Sequence, residues 1–135
     1  CYYLSMNPVV HFEMPAVDKE RVKKFYENAF GWYMQILGPE MNHYILAATT
    51  ESDEQGNPKK PGTINGGFFE KSIEKPDQYP SIVIQVEDIK VHMEKIKQAG
   101  GEVLDEPMEI PGVGWYVSFR DSEGNRVGIL QPSKA

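Results

Sequence analysis

The sequence has almost no cysteine, few basic side chains and no long hydrophobic run. Its single cysteine, Cys1, excludes an internal disulfide, so a reducing cytoplasm is the simplest predicted compartment. No apolar stretch approaches the roughly 18 residues of a membrane span. The 14 basic side chains are outnumbered by 20 acidic ones, for a net charge of −6. This balance argues against nucleic acid or an anionic membrane as a partner.

Residues 1–5 also lack the basic and apolar regions of a signal peptide. Two alternatives stay open: Met6 begins the natural chain, or residues 1–5 belong to it. With 135 residues, of which 40% are hydrophobic and 25% charged, the chain is predicted to form one soluble domain, residues 1–135.

What the chain does contain is an internal repeat. Segments 11–31 and 81–101 both predict a strand, a turn and an amphipathic helix that ends at glycine. Asp18 and Asp88 are placed to cap the two helices, and Gly31 is placed to end the first in a left-handed conformation. A repeat of this length predicts two similar modules.

Strand signals follow each predicted helix, so the order βαβββ occurs twice. This order predicts an α+β fold in which both helices pack against a mixed sheet, with modules at residues 6–71 and 80–132. Pro15 is predicted to end the first strand. Segments 49–62 and 107–114 are predicted loops, the first of them solvated and mobile. Gly66-Gly67 indicates a bulge or a close approach by another backbone or a ligand.

Several motifs occur in an order typical of one protein family. They are Asp18, Phe25-Tyr26, Phe30-Gly31-Trp32, Gly66-Gly67, Val86–Ile89, Ala99-Gly100-Gly101, Gly112-Val113-Gly114 and Asp121–Asn125. Together they resemble the vicinal oxygen chelate superfamily, which contains glyoxalases, bleomycin-resistance proteins and extradiol dioxygenases. The resemblance implies tandem βαβββ modules whose first strands pair in a cupped mixed sheet, and commonly a homodimer. Ser122 departs from the proline that the family usually has in that turn.

In the metalloenzymes of this family, ligands project into the cup from the first and last strands of the modules. The positions that correspond to these ligands are His11, Ser81, Gly128 and either Gly66 or Gly67. Glycine offers no ligand and serine is a poor one, whereas a catalytic metal ion needs about three protein ligands. We therefore predict no cofactor. The alternative is a divalent metal ion bound by a rearranged set drawn from His11, Glu13 or Glu70; His43 and His92 are predicted to be solvated.

Strand alternation and the repeat predict which side chains face the cup. Glu13 follows His11 by two residues, so both point to one side of the strand. The predicted ligand-binding set is His11, Glu13, Tyr44, Leu46, Ser81, Val83, Tyr116 and Ser118. An apolar, aromatic cleft with a few polar groups is typical of a small-molecule site, although aromatic residues also simply fill cores.

His11 and Glu13 are the candidate catalytic residues. Burial alone would lower the pKa of His11, whereas a close carboxylate would favour its charged form. The two side chains could therefore act in general acid–base catalysis or form an ion pair that only orients a ligand.

Three functions remain open at this stage. The favoured one is a metal-independent protein that binds a small organic molecule, either as a binder or as an acid–base enzyme. The second is a metal-dependent lyase, isomerase or dioxygenase. The third is an interaction module whose cup is filled by its own side chains.

Overall fold

The computed structural model describes residues 6–133, so the predictions about Cys1 and residues 1–5 lie outside the described residues. Within them the chain forms two α-helices, a short 3-10 helix (Pro39–Met41) and nine strands. The elements are β1 (Val9–Ala16), α1 (Lys19–Phe30), β2 (Tyr33–Ile36), β3 (Ile45–Ala48), β4 (Asn65–Glu70), β5 (Ser81–Gln85), α2 (Ile89–Gln98), β6 (Glu102–Val103), β7 (Met108–Ile110), β8 (Gly114–Arg120) and β9 (Arg126–Pro132). No helix of residues 6–133 is both long and apolar enough to cross a membrane.

The chain divides into two compact units: a first unit, His11–Pro80, and a second unit made of the described residues on either side of it. The strand order of the first unit is β2-β3-β4-β1, in which only β1 and β4 run parallel. The order β6-β8-β9-β5 in the second unit repeats this arrangement, with β5 and β9 parallel. The predicted α+β class with two repeated modules is therefore confirmed. We retain residues 6–71 and 80–132 as the proposed module bounds, and one domain over residues 1–135 stays a prediction.

Two local predictions about strands were wrong. Segment 107–114 is not only a loop, because β7 pairs antiparallel with β8 within it. Pro15 does not end β1 but lies inside it, opposite Phe69 in the parallel ladder with β4. Successive residues of a strand direct their N–H groups to opposite sides, so a proline is tolerated where its missing N–H would not face β4.

The helix predictions are confirmed at their ends. The Asp18 carboxylate accepts a hydrogen bond from the backbone N–H of Arg21 (3.0 Å), and the Asp88 carboxylate accepts bonds from two backbone N–H groups of α2. Gly31 follows α1 with φ of +70°, the left-handed conformation that glycine adopts without a steric penalty. Both helices therefore begin and end where local backbone chemistry requires.

The core of the first unit lies between its sheet and α1. Its buried residues are Met34, Ile45, Ala47 and Phe68. Val22 and Tyr26 of α1 pack against them, and Trp32 stacks on the Tyr26 ring with ring centroids 4.6 Å apart. The predicted apolar stripe of α1 is only partly buried, because Phe25 and Phe30 remain 56% and 63% exposed. The sheet therefore covers a narrower part of the helix than the sequence pattern predicts.

The core of the second unit is built in the same way around α2. Its buried residues are Val86, Ile89, Val117, Phe119 and Ile129. Met93 and Ile96 of α2 pack against them, as the helical spacing predicts. Trp115 shares the helix side of β8 with Val117 by strand alternation and is 40% exposed.

Candidate functional site

The side chains of β1 alternate between two faces of the first unit. Phe12 and Met14 pack into the core beneath α1. His11 and Glu13 therefore point to the opposite face of the sheet, which we call the far face. This is the shared orientation that their spacing predicts.

The strand register brings further residues to the far face beside Glu13. In the ladders between neighbouring strands, Glu13 lies opposite Gly67 and Gly67 lies opposite Leu46. His11 lies opposite Asn65, two residues before Gly67. Leu46 is 40% exposed, so it offers apolar surface next to the two titratable side chains.

Tyr44 connects the two candidate catalytic residues. Its hydroxyl group donates a hydrogen bond to Glu13 Oε2 at 2.9 Å. The same oxygen lies 3.3 Å from His11 Nε2. Three side chains of the predicted ligand-binding set thus meet at one phenolic oxygen on the far face.

The protonation of this group follows from its environment. Burial removes His11 from water and lowers its pKa from 6.5 to about 4, so the imidazole is neutral at pH 7. Tyr44 has one hydroxyl proton, and this proton forms the hydrogen bond to Glu13. The Tyr44 oxygen must therefore be the acceptor in its contact with His11. This assigns the Nε2–H tautomer to His11. An ion pair between His11 and Glu13 would require the charged imidazole, which this burial disfavours.

The Tyr44 ring requires glycine at position 67. A Cβ atom on Gly67 would overlap the ring and the hydroxyl oxygen of Tyr44. The second unit repeats this arrangement, because a Cβ atom on Gly128 would overlap the ring of Tyr116. In each unit a tyrosine ring therefore covers a glycine of the last strand.

A strained turn directly precedes Tyr44 and sets the position of its side chain on the far face. Asn42 and His43 immediately before it have φ of +52° and +56°, which is uncommon for residues other than glycine. The backbone of Tyr44 then bonds in both directions, donating to Met41 O (3.0 Å) and accepting from Leu37 N–H (2.8 Å). Strained backbone of this kind persists only where the surrounding structure holds it, and it is common at functional sites.

The predicted site residues of the second unit lie on β5 and β8, next to Gly128 of β9. Ser118 donates a hydrogen bond to the Tyr116 hydroxyl at 3.3 Å, and Val83 lies opposite Gly128 in the β5–β9 ladder. Val83 is only 3% exposed, and the Ser81 hydroxyl donates to the carbonyl oxygen of Arg126 at 2.6 Å. This group contains no counterpart of His11 or Glu13, because Ser81 and Val83 take their places in the repeat.

Asn65 is a residue that the sequence reasoning missed. Its side-chain amide accepts a hydrogen bond from the backbone N–H of Thr49 and donates to Ser52 Oγ and to the carbonyl oxygen of Gly56. It therefore attaches segment 49–62 to the start of β4, opposite His11 in the ladder. Segment 49–62 also has hydrogen bonds within itself, such as Asp53 N–H to Asn57 O and Lys59 N–H to Glu51 O, although its composition predicts a solvated and mobile loop. Strand alternation counted back from Gly67 would have placed Asn65 on the far face.

A cavity in the first unit lies elsewhere. It has a volume of about 440 Å³ and is lined by residues that include Asp18, His43 and Phe68. None of the predicted site residues lines it, and its charged side chains are of both signs. The predicted ligand-binding residues of the first unit therefore lie outside this cavity.

The donor groups at the family's ligand positions do not fit a metal ion. Gly67 and Gly128 provide no side chain, the Ser81 hydroxyl bonds to a backbone carbonyl, and His11 Nε2 bonds to Tyr44. Glu70 shares the α1 side of β4 with Phe68, so it cannot join His11 on the far face. Within residues 6–133 no three histidine, cysteine or acidic side chains are grouped as metal ligands would be. His92 Nε2 lies 3.2 Å from the side-chain oxygen of Asn7.

Comparison with known proteins agrees with the fold. The model of the Glyoxalase/Bleomycin resistance protein/Dioxygenase superfamily matches residues 9–129. The chain belongs to this superfamily. A glyoxylase-like domain-containing protein of Didymella fabae is 32% identical to this chain, and the alignment covers 90% of this chain and 92% of the relative. A probable lactoylglutathione lyase of Vibrio cholerae is 29% identical, with 98% of this chain and 96% of the relative covered.

Solved structures of the superfamily share the fold. A methylmalonyl-CoA epimerase from Mycobacterium tuberculosis has a TM-score of 0.67 at 12% identity, covering 93% of this chain and 88% of the other. A Streptomyces coelicolor methylmalonyl-CoA epimerase variant in complex with 2-nitronate-propionyl-CoA has a TM-score of 0.68 at 15% identity, covering 96% and 100%. At these identities the likeness concerns the fold alone.

Proposed function

We propose that this superfamily member binds a small organic molecule on the far face of the first unit and transfers a proton on it, without a catalytic metal ion. Glu13 is the proposed base. The observation that carries the proposal is the hydrogen-bonded group of His11, Tyr44 and Glu13, in which two candidate catalytic side chains meet at one hydroxyl oxygen.

The chemistry of the group supports proton transfer. A fixed carboxylate that lies within hydrogen-bond reach of a substrate proton can remove this proton and return it. The Tyr44 hydroxyl fixes the Glu13 carboxylate, and Leu46 offers apolar surface beside it. Neutral His11 contributes a hydrogen-bond donor and no charge.

The names of similar proteins indicate a substrate class. Lactoylglutathione and methylmalonyl-CoA are both thioesters of small acids. An epimerase inverts a stereocentre, and at a carbon beside a carbonyl group this requires removal and return of a proton. We therefore propose a thioester or a similar carbonyl compound as the substrate of this chain.

Removal of the Glu13 carboxylate is expected to abolish proton transfer. We expect wild-type protein to exchange the hydrogen beside the carbonyl of methylmalonyl-CoA or S-lactoylglutathione for deuterium in D₂O, and Glu13→Gln to slow this exchange by on the order of 100-fold or more. Proton NMR follows the loss of the signal. Glu94→Gln, on the exposed side of α2, is the matched control and retains the wild-type rate. Equal rates in Glu13→Gln and wild type would show that Glu13 is not the base.

Metal independence has a test of its own. Protein purified without chelators is expected to contain no stoichiometric zinc, nickel, iron or manganese by elemental analysis, and to keep its exchange rate after treatment with a chelator. The reason is that three of the four family positions offer no free ligand atom. Stoichiometric metal that is lost in His11→Ala would favour the metal-dependent lyase, isomerase or dioxygenase instead.

Other predictions belong with this proposal. Ligand contacts by Ser81, Val83, Tyr116 and Ser118 stay a prediction, as do a cytoplasmic location and a homodimer. Light scattering after size-exclusion chromatography checks the oligomeric state, with a mass of twice 15.3 kDa expected.

A further inference from the structure

The hydroxyl group of Tyr44 occupies the point at which His11 and Glu13 converge. We propose that Tyr44 binds the substrate oxygen on which negative charge develops, and so serves the electrophilic role that a metal ion serves in metalloenzymes. This inference rests on the proposed function, in which Glu13 removes the proton.

The position of the ring is the first argument. The resemblance places a metal ligand at Gly66 or Gly67, and the space that a side chain on Gly67 would need is filled by the Tyr44 ring. The hydroxyl oxygen stands 2.9 Å from Glu13 Oε2 and 3.3 Å from His11 Nε2. The Tyr44 ring therefore fills the space at one ligand position of the family, Gly67, and its hydroxyl group contacts His11, the side chain at another ligand position.

The proximity of base and donor is the second argument. Glu13 and the Tyr44 hydroxyl are in direct contact, so they can act on neighbouring atoms of one small substrate. A carbonyl compound with an acidic hydrogen on the adjacent carbon has this arrangement. A reaction whose charge develops far from the proton would need the two groups apart.

The proton balance of the step is complete within these residues. Glu13 takes the proton from carbon, so the C–H bond breaks, an O–H bond forms on Glu13 and the electron pair moves onto the substrate oxygen. A protonated carboxyl group is a weaker acceptor than a carboxylate, so the Tyr44 hydroxyl is released to donate to that oxygen. His11 continues to donate to the phenolic oxygen, which strengthens Tyr44 as a donor. Return of the proton from Glu13 to carbon restores the starting state.

The contacts of the hydroxyl group, and not the placement of the ring, are the third argument. The rings of Tyr44 and Tyr116 both cover a glycine of the last strand, so the ring placement alone does not distinguish them. The Tyr44 hydroxyl contacts a carboxylate and an imidazole, those of Glu13 and His11. These two contacts assign the role to Tyr44.

Tyr44→Phe removes the hydroxyl group and keeps the ring over Gly67. We expect the variant to lose on the order of 100-fold or more in deuterium exchange, as other enzymes do when one donor to a developing oxyanion is removed. We also expect it to bind 2-nitronate-propionyl-CoA, whose nitronate carries the charge of an enolate, at least about 10-fold more weakly. The affinity for propionyl-CoA, which lacks that charge, should change by less than about 3-fold when measured by calorimetry. A merely structural role of Tyr44 would weaken the binding of both ligands alike. The control is Tyr33→Phe, because Tyr33 is 70% exposed on the edge strand β2.

The outcomes separate this inference from the proposed function. Exchange that depends on Glu13 but not on Tyr44 overturns the role of Tyr44 and leaves the function standing. No exchange in the wild type, together with nitronate binding that needs the Tyr44 hydroxyl, overturns the function and leaves the oxyanion role. A wild type that neither exchanges nor binds the nitronate overturns both. If Tyr44→Phe fails to fold, trifluorotyrosine at position 44 keeps the ring and a more acidic hydroxyl, and an unchanged exchange rate then overturns the inference.

Discussion

Gly66→Ala is expected to lower the free energy of unfolding by about 3 kcal/mol, near the upper end of the range for overpacked cores. A Cβ atom on Gly66 would overlap the ring of Phe12. That ring packs between the rings of Trp32 and Phe68, with centroid distances of 5.6 and 6.4 Å. Phe12 can move away only by opening the core of the first unit. Urea denaturation of the variant and of the wild type measures the difference.

Gly67→Ala is the matched comparison, one residue away on the opposite face. Its Cβ atom would overlap the Tyr44 ring, which lies on the far face and outside the hydrophobic core. We expect the ring to swing aside for about 1 kcal/mol of stability, with loss of its hydrogen bonds to Glu13 and His11. Gly67→Ala should therefore fold and yet fail in the exchange assay. Equal stability losses in the two variants would contradict this assignment of faces.

The helices and the repeat could be predicted from sequence because their signals are local. Asp18 begins α1 by accepting a hydrogen bond from its backbone, and Gly31 ends α1 in a left-handed conformation. Neither feature needs a partner that is distant in sequence. The same signals recur around α2, which makes the second module recognisable. With the helices placed, the remaining strands other than β7 follow in the order that the structure has.

Features that depend on pairing between distant strands were not predictable. Strand β7 exists because three residues of segment 107–114 pair with β8, although prolines and glycines dominate the local sequence. Gly66-Gly67 correctly indicated a close approach, but the approaching groups are two aromatic rings on opposite faces and not a backbone or a ligand. This distinction requires the register between β1, β3 and β4.

The candidate site was predictable as a set of residues but not as a network. Alternation places His11 and Glu13 on one side of β1, and the repeat brings in Tyr44. Whether the three side chains meet depends on the turn before β3, in which Asn42 and His43 both have positive φ. Asparagine and histidine adopt positive φ more often than most residues, but this signal does not say where the Tyr44 hydroxyl lies, so its contacts become visible only in the structure.

Acidification from pH 7 to pH 5 is expected to destabilise the protein by about 2 kcal/mol through His11 alone. Burial lowers the pKa of His11 to about 4, whereas an unfolded chain has the ordinary value of 6.5. Between these two values the unfolded chain binds a proton that the folded protein does not, so stability falls as the pH falls. Above pH 6.5 the effect is absent, and below pH 4 it is constant at about 3 kcal/mol.

Urea denaturation at the two pH values measures this loss in variants that differ by one imidazole. His11→Gln keeps a side-chain N–H donor and removes the titration, so its stability should fall by about 2 kcal/mol less than that of the wild type over the same interval. His92→Gln, in α2 of the second unit, removes a histidine outside the network and should behave as the wild type does. The three proteins differ from one another only at positions 11 and 92, so the comparison assigns the difference in pH dependence to the substituted histidine. An identical pH dependence in His11→Gln and wild type would mean that His11 is hydrated, and the Tyr44 hydroxyl would then lack the buried, neutral donor that the proposal gives it.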